Sequence, residues 1–552
     1  MTLAPLRQPG AVRDWLARLA QPATPAPIDY PFTPGELARL HALDRHDAAA
    51  ALDEQTWRDL LLTPYGELLA PHASIFGRQL LVRRLRAGCP DEEVAVQRRR
   101  IEGLLDDAEG LDRLRGPLDG LRSAEAEVAG LLFDEARPAP PRAPALVARA
   151  PLLTVLLALS IAAALLVSPI GWIGVGVAMY LLVSIQMRWR EHAVAWAKSV
   201  HALQMLLRAC SLMDGSGLPL AADFAGLGRR AGRLNRALVR APMASLVPGA
   251  GDYGDWFMAA NIRHYFRTLA LVDEARDFLR QCFSLCAALD ADAALARHLR
   301  GRGHWCWAER SGPRTLVLEA GMHPLLDRAD ALSIALEGGK GVFLSGQNGV
   351  GKSTFLRMLG LNLVAARAFG FCYAARASLP ALPVFASMQN EDSLLGGHSL
   401  YMAELARARA LLAAAGAGRP LVCLVDEIFR GTNHEESVSA AAAVLDELAR
   451  DALVVVSSHN LVLGSLLAHR LAPWRIVRSP AGGLRLEPGV LGRTNGVTLL
   501  AERGFGIAVQ RKAEAVAGWL ARQRRSEAGA DLLVQETDIA APRHPREGGD
   551  PY

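Results

Sequence analysis

Residues Gly346, Gln347, Asn348, Gly349, Val350, Gly351, Lys352 and Ser353 read GQNGVGKS and run into Thr354, which is the GxxxxGK[ST] spacing of a phosphate-binding loop. Its glycines let the backbone curl, so that N–H groups and the positive end of the next helix face an anion. In that arrangement Lys352 meets the β and γ phosphates and Ser353 ligates Mg²⁺. Residues 421–427, LVCLVDE, add the complementary chemistry: Asp426 to hold the Mg²⁺ shell, Glu427 to orient or deprotonate the attacking water. A third apolar stretch, 453–456, delivers Ser457, Ser458 and His459, with His459 placed to sense the γ-phosphate. Glycine loops, strand-ending DE pairs and single histidines each occur for ordinary structural reasons. In this order in one chain they predict hydrolysis of ATP with Mg²⁺.

The elements that must carry these residues are legible beside them. Residues 341–345 form an apolar strand leading into the loop, and from Thr354 the positions Phe355, Leu356, Leu359 and Leu363 share one helix face. The runs 421–425 and 453–456 suit buried parallel strands, whose carboxyl edges are where ligands collect in such sheets. The expected fold class is therefore an α/β P-loop ATPase domain at the C-terminal side.

The whole chain, 552 residues with 61 Lys plus Arg against 56 Asp plus Glu, is long enough for several domains, and its net charge of +5 does not by itself announce a nucleic-acid binder. The seven cysteines show no CxxC or zinc spacing and read as reduced core residues; Cys282 and Cys286, one helical turn apart, read as packing. The proline-rich first thirty residues lack the apolar stretch of a secretory signal.

Residues 150–187 contain no charge, and Ser168, Pro169, Ile170 and Gly171 break the run into two halves, each long enough to cross roughly 24 to 27 Å as helix. Arg142 and Arg149 precede the run and Arg188 and Arg190 follow it, which puts both flanks in the cytoplasm. The expectation is a two-helix transmembrane hairpin in the inner (cytoplasmic) membrane, with Trp172 and Tyr180 as interface anchors and the ATPase domain cytoplasmic. A buried hairpin of a soluble protein is the competing reading. Around it the chain divides into an N-terminal extension (1–34), the first half of an all-α core or lever (35–136), a Pro-rich linker (137–149), the hairpin (150–187), the second helical half (188–310), the ATPase domain (311–524) and a polar tail (525–552). Arg229, Arg233, Arg236 and Arg240 fall at helical spacing, a stripe suited to anionic lipid, to DNA or simply to water.

Several segments together resemble the MutS family of mismatch-repair ATPases. Gly321-Met322-His323-Pro324 is similar to that family's Gly-Arg-His-Pro element, and GQNGVGKST to its GPNMGGKST. Residues 397–404, GHSLYMAE, look like its GRSTFMVE element, residues 426–433, DEIFRGTN, like its DEIGRGTS, and Ser458-His459-Asn460 like its Thr-His-Tyr. The resemblance implies an ABC-type, MutS-like ATPase with His323 and Pro324 at the nucleotide. It also implies a homodimer in which Ser399 of each copy completes the other's site. Gly77, Leu81 and Leu85 fit the spacing that opens the family's helical core, and Phe133-Asp134-Glu135 formally fits its Phe-x-Glu wedge. The stretch before Leu52 is too short for the family's mismatch-reading and connector domains, and the hairpin stands where relatives carry a DNA clamp. The expected function is thus a membrane-anchored ATPase with a composite dimer site, lipid and an unidentified protein as partners, and DNA left open. The alternative is an ABC-type ATPase subunit, or a switch of a membrane complex without DNA binding; residues 394–398, LLGGH, resemble a degenerate LSGGQ.

Overall fold

The computed structural model describes residues 30–44, 51–136, 138, 141–240, 250–388, 400–479, 482–491, 505 and 507–523. The chain forms two compact units, one of residues 1–44, 69–83 and 99–300, the other of 45–68, 84–98 and 301–552.

The first unit is helical. Its centre is α1 (Ala150–Leu166) and α2 (Gly171–Asp214), followed by α3 (Gly228–Leu238), α4 (Ala250–Met258), α5 (Ala260–Glu274) and α6 (Arg276–Arg300). The turn between α1 and α2 sits at the SPIG cluster expected for it, and the two helices approach closely because Gly171 and Gly174 face Ala164 and Ser160 without side chains of their own. By length and composition α2 is apolar and long enough to cross a membrane, with 22% of its most apolar window buried, and α1 is a shorter apolar helix. Leu159, Leu165, Leu166, Ile173 and Tyr180 point outward, Leu166 with 83% of its surface exposed. Past Arg188 the second helix does not stop. It runs on to Asp214, and its buried face widens there to take in Val200, Leu203, Leu206, Leu207, Cys210 and Met213.

Elsewhere in this unit Asp290 is fully buried and accepts from Ser74 N (2.9 Å) and Ser74 Oγ (2.6 Å). Burial lifts its carboxyl to about 6 despite those donors. Gly77 is the residue that lets Asp290 in, since a Cβ there would lie 2.5 Å from its oxygen. Phe133, the formal wedge residue, is packed edge-on against Phe283 at 5.2 Å. Cys282 and Cys286 are buried in α6, with Cys286 Sγ 3.4 Å from Cys210 Sγ. Arg229, Arg233 and Arg236 are exposed on α3, but Arg240 lies beyond the end of that helix, because Val239 turns extended, and its guanidinium pairs with Asp255.

The second unit is α/β. Its main sheet has the order β12-β11-β5-β10-β9-β8, with β5 (Gly341–Gly346), β8 (Val384–Ser387), β9 (Val422–Asp426), β10 (Leu453–Ser457), β11 (Leu471–Arg478) and β12 (Leu484–Pro488). All pairings are parallel except the hairpin of β11 with β12. Every residue of β5, β9 and β10 is buried, which is why they read as unbroken apolar runs. Two short strands, β1 (Cys306–Trp307) and β6 (Phe371–Cys372), pair antiparallel, and a smaller sheet joins β2 (Glu309–Arg310), β7 (Arg376–Leu379), β3 (Leu316–Gly321) and β4 (Leu332–Leu336). The helices α7 (Lys352–Phe369), α8 (Leu400–Ala415) and α9 (His434–Asp451) complete the frame. Gly360 of α7 meets Leu60 and Leu424 at distances no Cβ would allow.

The edge strand β8 is not left open. Thr56 Oγ1 accepts from Ala386 N and Asp59 Oδ2 from Met388 N, both at 2.9 Å, so the short helix Glu54–Asp59 satisfies the edge with side chains. Arg407 of α8 fixes that helix through Asp53 Oδ2 (2.5 Å) and Thr56 Oγ1 (3.1 Å) while donating to Ala386 O. Burial raises the Asp53 carboxyl, but the Arg407 guanidinium outweighs it and holds the group below its ordinary value. Because Arg407 is itself buried, Arg407→Leu is expected to cost roughly 3 kcal/mol, read as a lowered urea midpoint for this unit.

Candidate functional site

The parallel register assembles the site. Ser457 of β10 lies beside Asp426 of β9 on one side and beside Leu344 of β5 on the other, so the ends of all three strands meet at one carboxyl edge. The loop after β5 opens there. Gly349 (φ +73°) and Gly351 (φ +102°) take left-handed conformations that L side chains rarely adopt, and they turn the chain directly into α7. Lys352, the first residue of α7, is only 6% exposed, and its Nζ donates to Gly346 O and Gln347 O at 3.2 Å each, lying over its own loop. Burial pulls its ammonium below the ordinary value while the charges of Glu427 and Asp426 act against that pull. Ser353 is half-buried at the start of the same helix.

Asp426 is buried at the end of β9 and accepts the hydroxyl of Ser457. Glu427, the next residue, leaves the strand with φ +56°, in the left-handed region, and its N–H donates to Ser457 O at 3.0 Å. That turn carries its carboxylate away from the sheet. Oε1 lies 2.5 Å from His459 Nε2 and Oε2 lies 3.5 Å from Arg430 Nη1. The hydrogen bond from His459 is the largest of the influences holding the Glu427 carboxyl below its usual range, against partial burial. An ionised carboxylate can only accept, so His459 carries its proton on Nε2. The structure therefore gives His459 a partner that the strand pattern alone did not supply: it orients Glu427.

A second carboxylate, missed by the sequence reading as a positioning group, organises the segment that follows. Glu404 of α8 is buried and accepts from Arg430 N and Gly431 N, each at 3.1 Å. Phe429, also left-handed (φ +57°) and fully buried, packs edge-on to Tyr401 at 6.0 Å. A Cβ on Gly431 would lie 2.7 Å from the Tyr401 backbone nitrogen, so glycine is required there. The signal available was the Glu404 of the GHSLYMAE element, but nothing in its local pattern said what it would face.

His323 is buried and accepts from Leu325 N at 3.3 Å through Nδ1; with Arg357 nearby, burial pushes the imidazole down to about 4, so it is neutral. Arg302 Nη2 donates to Pro324 O at 3.1 Å. Both belong to the turn after β3. Ser399 and the residues from 389 on to it lie outside the described residues.

The donor set fits a magnesium nucleotide: a loop with two left-handed glycines, an ammonium lying over it, a hydroxyl at a helix start and a carboxylate pair across the sheet edge. Residues 342–477 match the family model MutS domain V. The chain is 32% identical to the DNA mismatch repair protein MutS of Thermus aquaticus over 279 residues, 48% of this chain and 33% of that protein. It is 32% identical to that of Thermus thermophilus over 292 residues, 50% and 35%, and 34% identical to that of a Synechococcus species over 209 residues, 36% and 23%. The match thus spans about a third of the length of the Thermus relatives. At the level these matches reach, residues 342–477 of this chain are similar to MutS domain V.

Proposed function

We propose that this protein is a membrane-anchored ATPase of the MutS type, binding and hydrolysing ATP with Mg²⁺ in a composite site completed by a second copy of the chain. The observation that carries the reading is the convergence of Lys352, Asp426 and the Glu427–His459 pair on one sheet edge. Lys352 and the backbone of Gly346 to Ser353 hold the phosphates, while Ser353 and Asp426 hold Mg²⁺. When bound, the metal offsets the charge on the phosphate oxygens. Glu427 accepts the proton of the attacking water, and His459 and Arg430 keep its carboxylate ionised and aimed.

Anchoring is supported by the uncharged run of 38 residues and by the outward-facing apolar side chains of α1 and of the first part of α2. The reading places the anchor in the inner membrane and the ATPase on its cytoplasmic side. Binding at one edge and release after hydrolysis make the ATPase a two-state element whose motion is passed to the helical unit. The relatives' name, DNA mismatch repair protein, and the exposed Arg229, Arg233 and Arg236 favour DNA as a second ligand; binding that weakens steeply with salt is the mark of it.

The composite site is tested with Ser399. Purified protein should hydrolyse ATP with an activity per subunit that rises with protein concentration, and Ser399→Ala should reduce it. Equal turnover by the variant, with no concentration dependence, removes the dimer site from the reading.

A further inference from the structure

We propose that α4 is a third membrane-contacting element, an aromatic helix at the level of the lipid head groups whose groove against α2 takes acyl chains. The inference rests on the membrane reading of α1 and α2 and extends it.

The chain breaks between α4 and α5 at Ala259, which has φ +45°. A break frees carbonyls at the end of α4, and two of them are met by side chains from the apolar pair: Gln186 Nε2 donates to Asp255 O, and Thr154 Oγ1 donates to Phe257 O. Gln186 is 3% exposed and also pairs with Asn261 at 3.3 Å. In water a helix end is hydrated without help. Spending two of the few polar side chains of an uncharged run on these carbonyls is what a surrounding without water requires. Thr154 and Gln186 both lie within about one and a half turns of the charged flanks, so the break sits at the cytoplasmic boundary.

From that level α4 lies along the apolar segment. Tyr253, Trp256 and Phe257 of α4 and Met179, Leu182 and Val183 of α2 line a groove of about 290 Å³. Met179 is eight residues before Met187, about 12 Å along the helix, which is the depth of acyl chains rather than of solution. The groove is continuous with the exposed apolar face of the pair, on which Met179, Tyr180 and Val183 are themselves exposed. That continuity commits its occupant to lipid. Tyr253 and Trp256 are exposed, and rings with one polar tip are the side chains enriched where lipid meets water. Asp255 does not bring a bare charge there: Arg240 Nη1 donates to it at 3.1 Å and Asn261 N at 3.0 Å.

The test uses the full chain, with Cys89→Ser and Cys306→Ser to silence the partly exposed thiols, reconstituted in vesicles of phosphatidylcholine and phosphatidylglycerol. Nitroxides are placed singly at Trp256→Cys, at Leu159→Cys on the outer face of α1 and at Arg229→Cys on α3. Collision with oxygen is compared with collision with a water-soluble nickel chelate. The expected result is an oxygen preference at 256 and 159 several-fold above that at 229, repeated by Tyr253→Cys. Chelate preference at both 256 and 253, with oxygen preference kept at 159, overturns the inference and leaves the apolar pair in the membrane. Chelate preference at 159 removes the membrane reading itself, and the inference with it.

Discussion

Glu427→Gln should bind ATP normally and hydrolyse it about 10²- to 10⁴-fold more slowly, the range a positioned general base contributes. At about 1.36 kcal/mol per tenfold, that is roughly 3 to 5 kcal/mol of transition-state stabilisation. The substitution is conservative in geometry. The amide oxygen can still accept from His459 Nε2, and the backbone turn at φ +56° with its bond to Ser457 O does not depend on the side-chain charge. What disappears is the capacity to take a proton. The pH profile carries the same argument. A base must be ionised, and the His459 hydrogen bond holds this carboxyl below its usual value of 4.5, so turnover by the native protein should persist as pH falls through the ordinary glutamate range and fail only beneath it. Single-turnover phosphate release beside equilibrium ATP binding separates the two quantities. Unchanged release in the variant would show that another group activates the water.

How much of this was legible follows from where the information lies. The strands β5, β9 and β10 are buried on both faces, so their residues have no polar alternation to hide in, and the apolar runs 341–345, 421–425 and 453–456 fall within a residue or two of their observed limits. The glycine loop was legible because its spacing is a backbone requirement written in residue types. The strands of the small sheet were not, since β2, with Glu309 and Arg310, and β7, opening on Arg376, are short and polar enough to pass for turns. Nor were the contacts of Thr56, Asp59 and Glu404, which join side chains to the backbone of residues distant in sequence and leave no period behind. His459 is an intermediate case. Its place after a buried strand was readable, but its partner follows only from the adjacency of β9 and β10, which pairs Ser457 with Asp426 and brings the next residues of each strand together. The far end of α2 was not legible for a different reason: the charge at Arg188 is a change in composition, not a change in backbone, and the helix continues 26 residues further to Asp214.

Lys352→Ala should remove most of the stabilisation of the protein by ATP while leaving the free protein nearly as stable as before. In the free protein the ammonium is a buried charge whose bonds to Gly346 O and Gln347 O at 3.2 Å are offset by the loss of its hydration, so removing it costs little net stability. Its worth lies in what the site does with phosphate. A charge-assisted bond contributes roughly 1.5 to 3 kcal/mol, and without Lys352 the carboxylates of Asp426 and Glu427 lose one opposing charge, so a polyanion meets more repulsion. A loss of about 2.7 kcal/mol raises Kd roughly a hundredfold. At ATP equal to a hundred times the native Kd, ligand-induced stabilisation is about 2.7 kcal/mol, and for the variant at the same concentration it falls to about 0.4 kcal/mol. Thermal unfolding with and without Mg²⁺ and ATP reads this directly. The native protein should shift upward by several degrees and the variant by a fraction of that. An undiminished shift would mean that the phosphates sit elsewhere than on the loop from Gly346 to Ser353, and the arrangement of Asp426, Glu427 and His459 around it would then need another explanation.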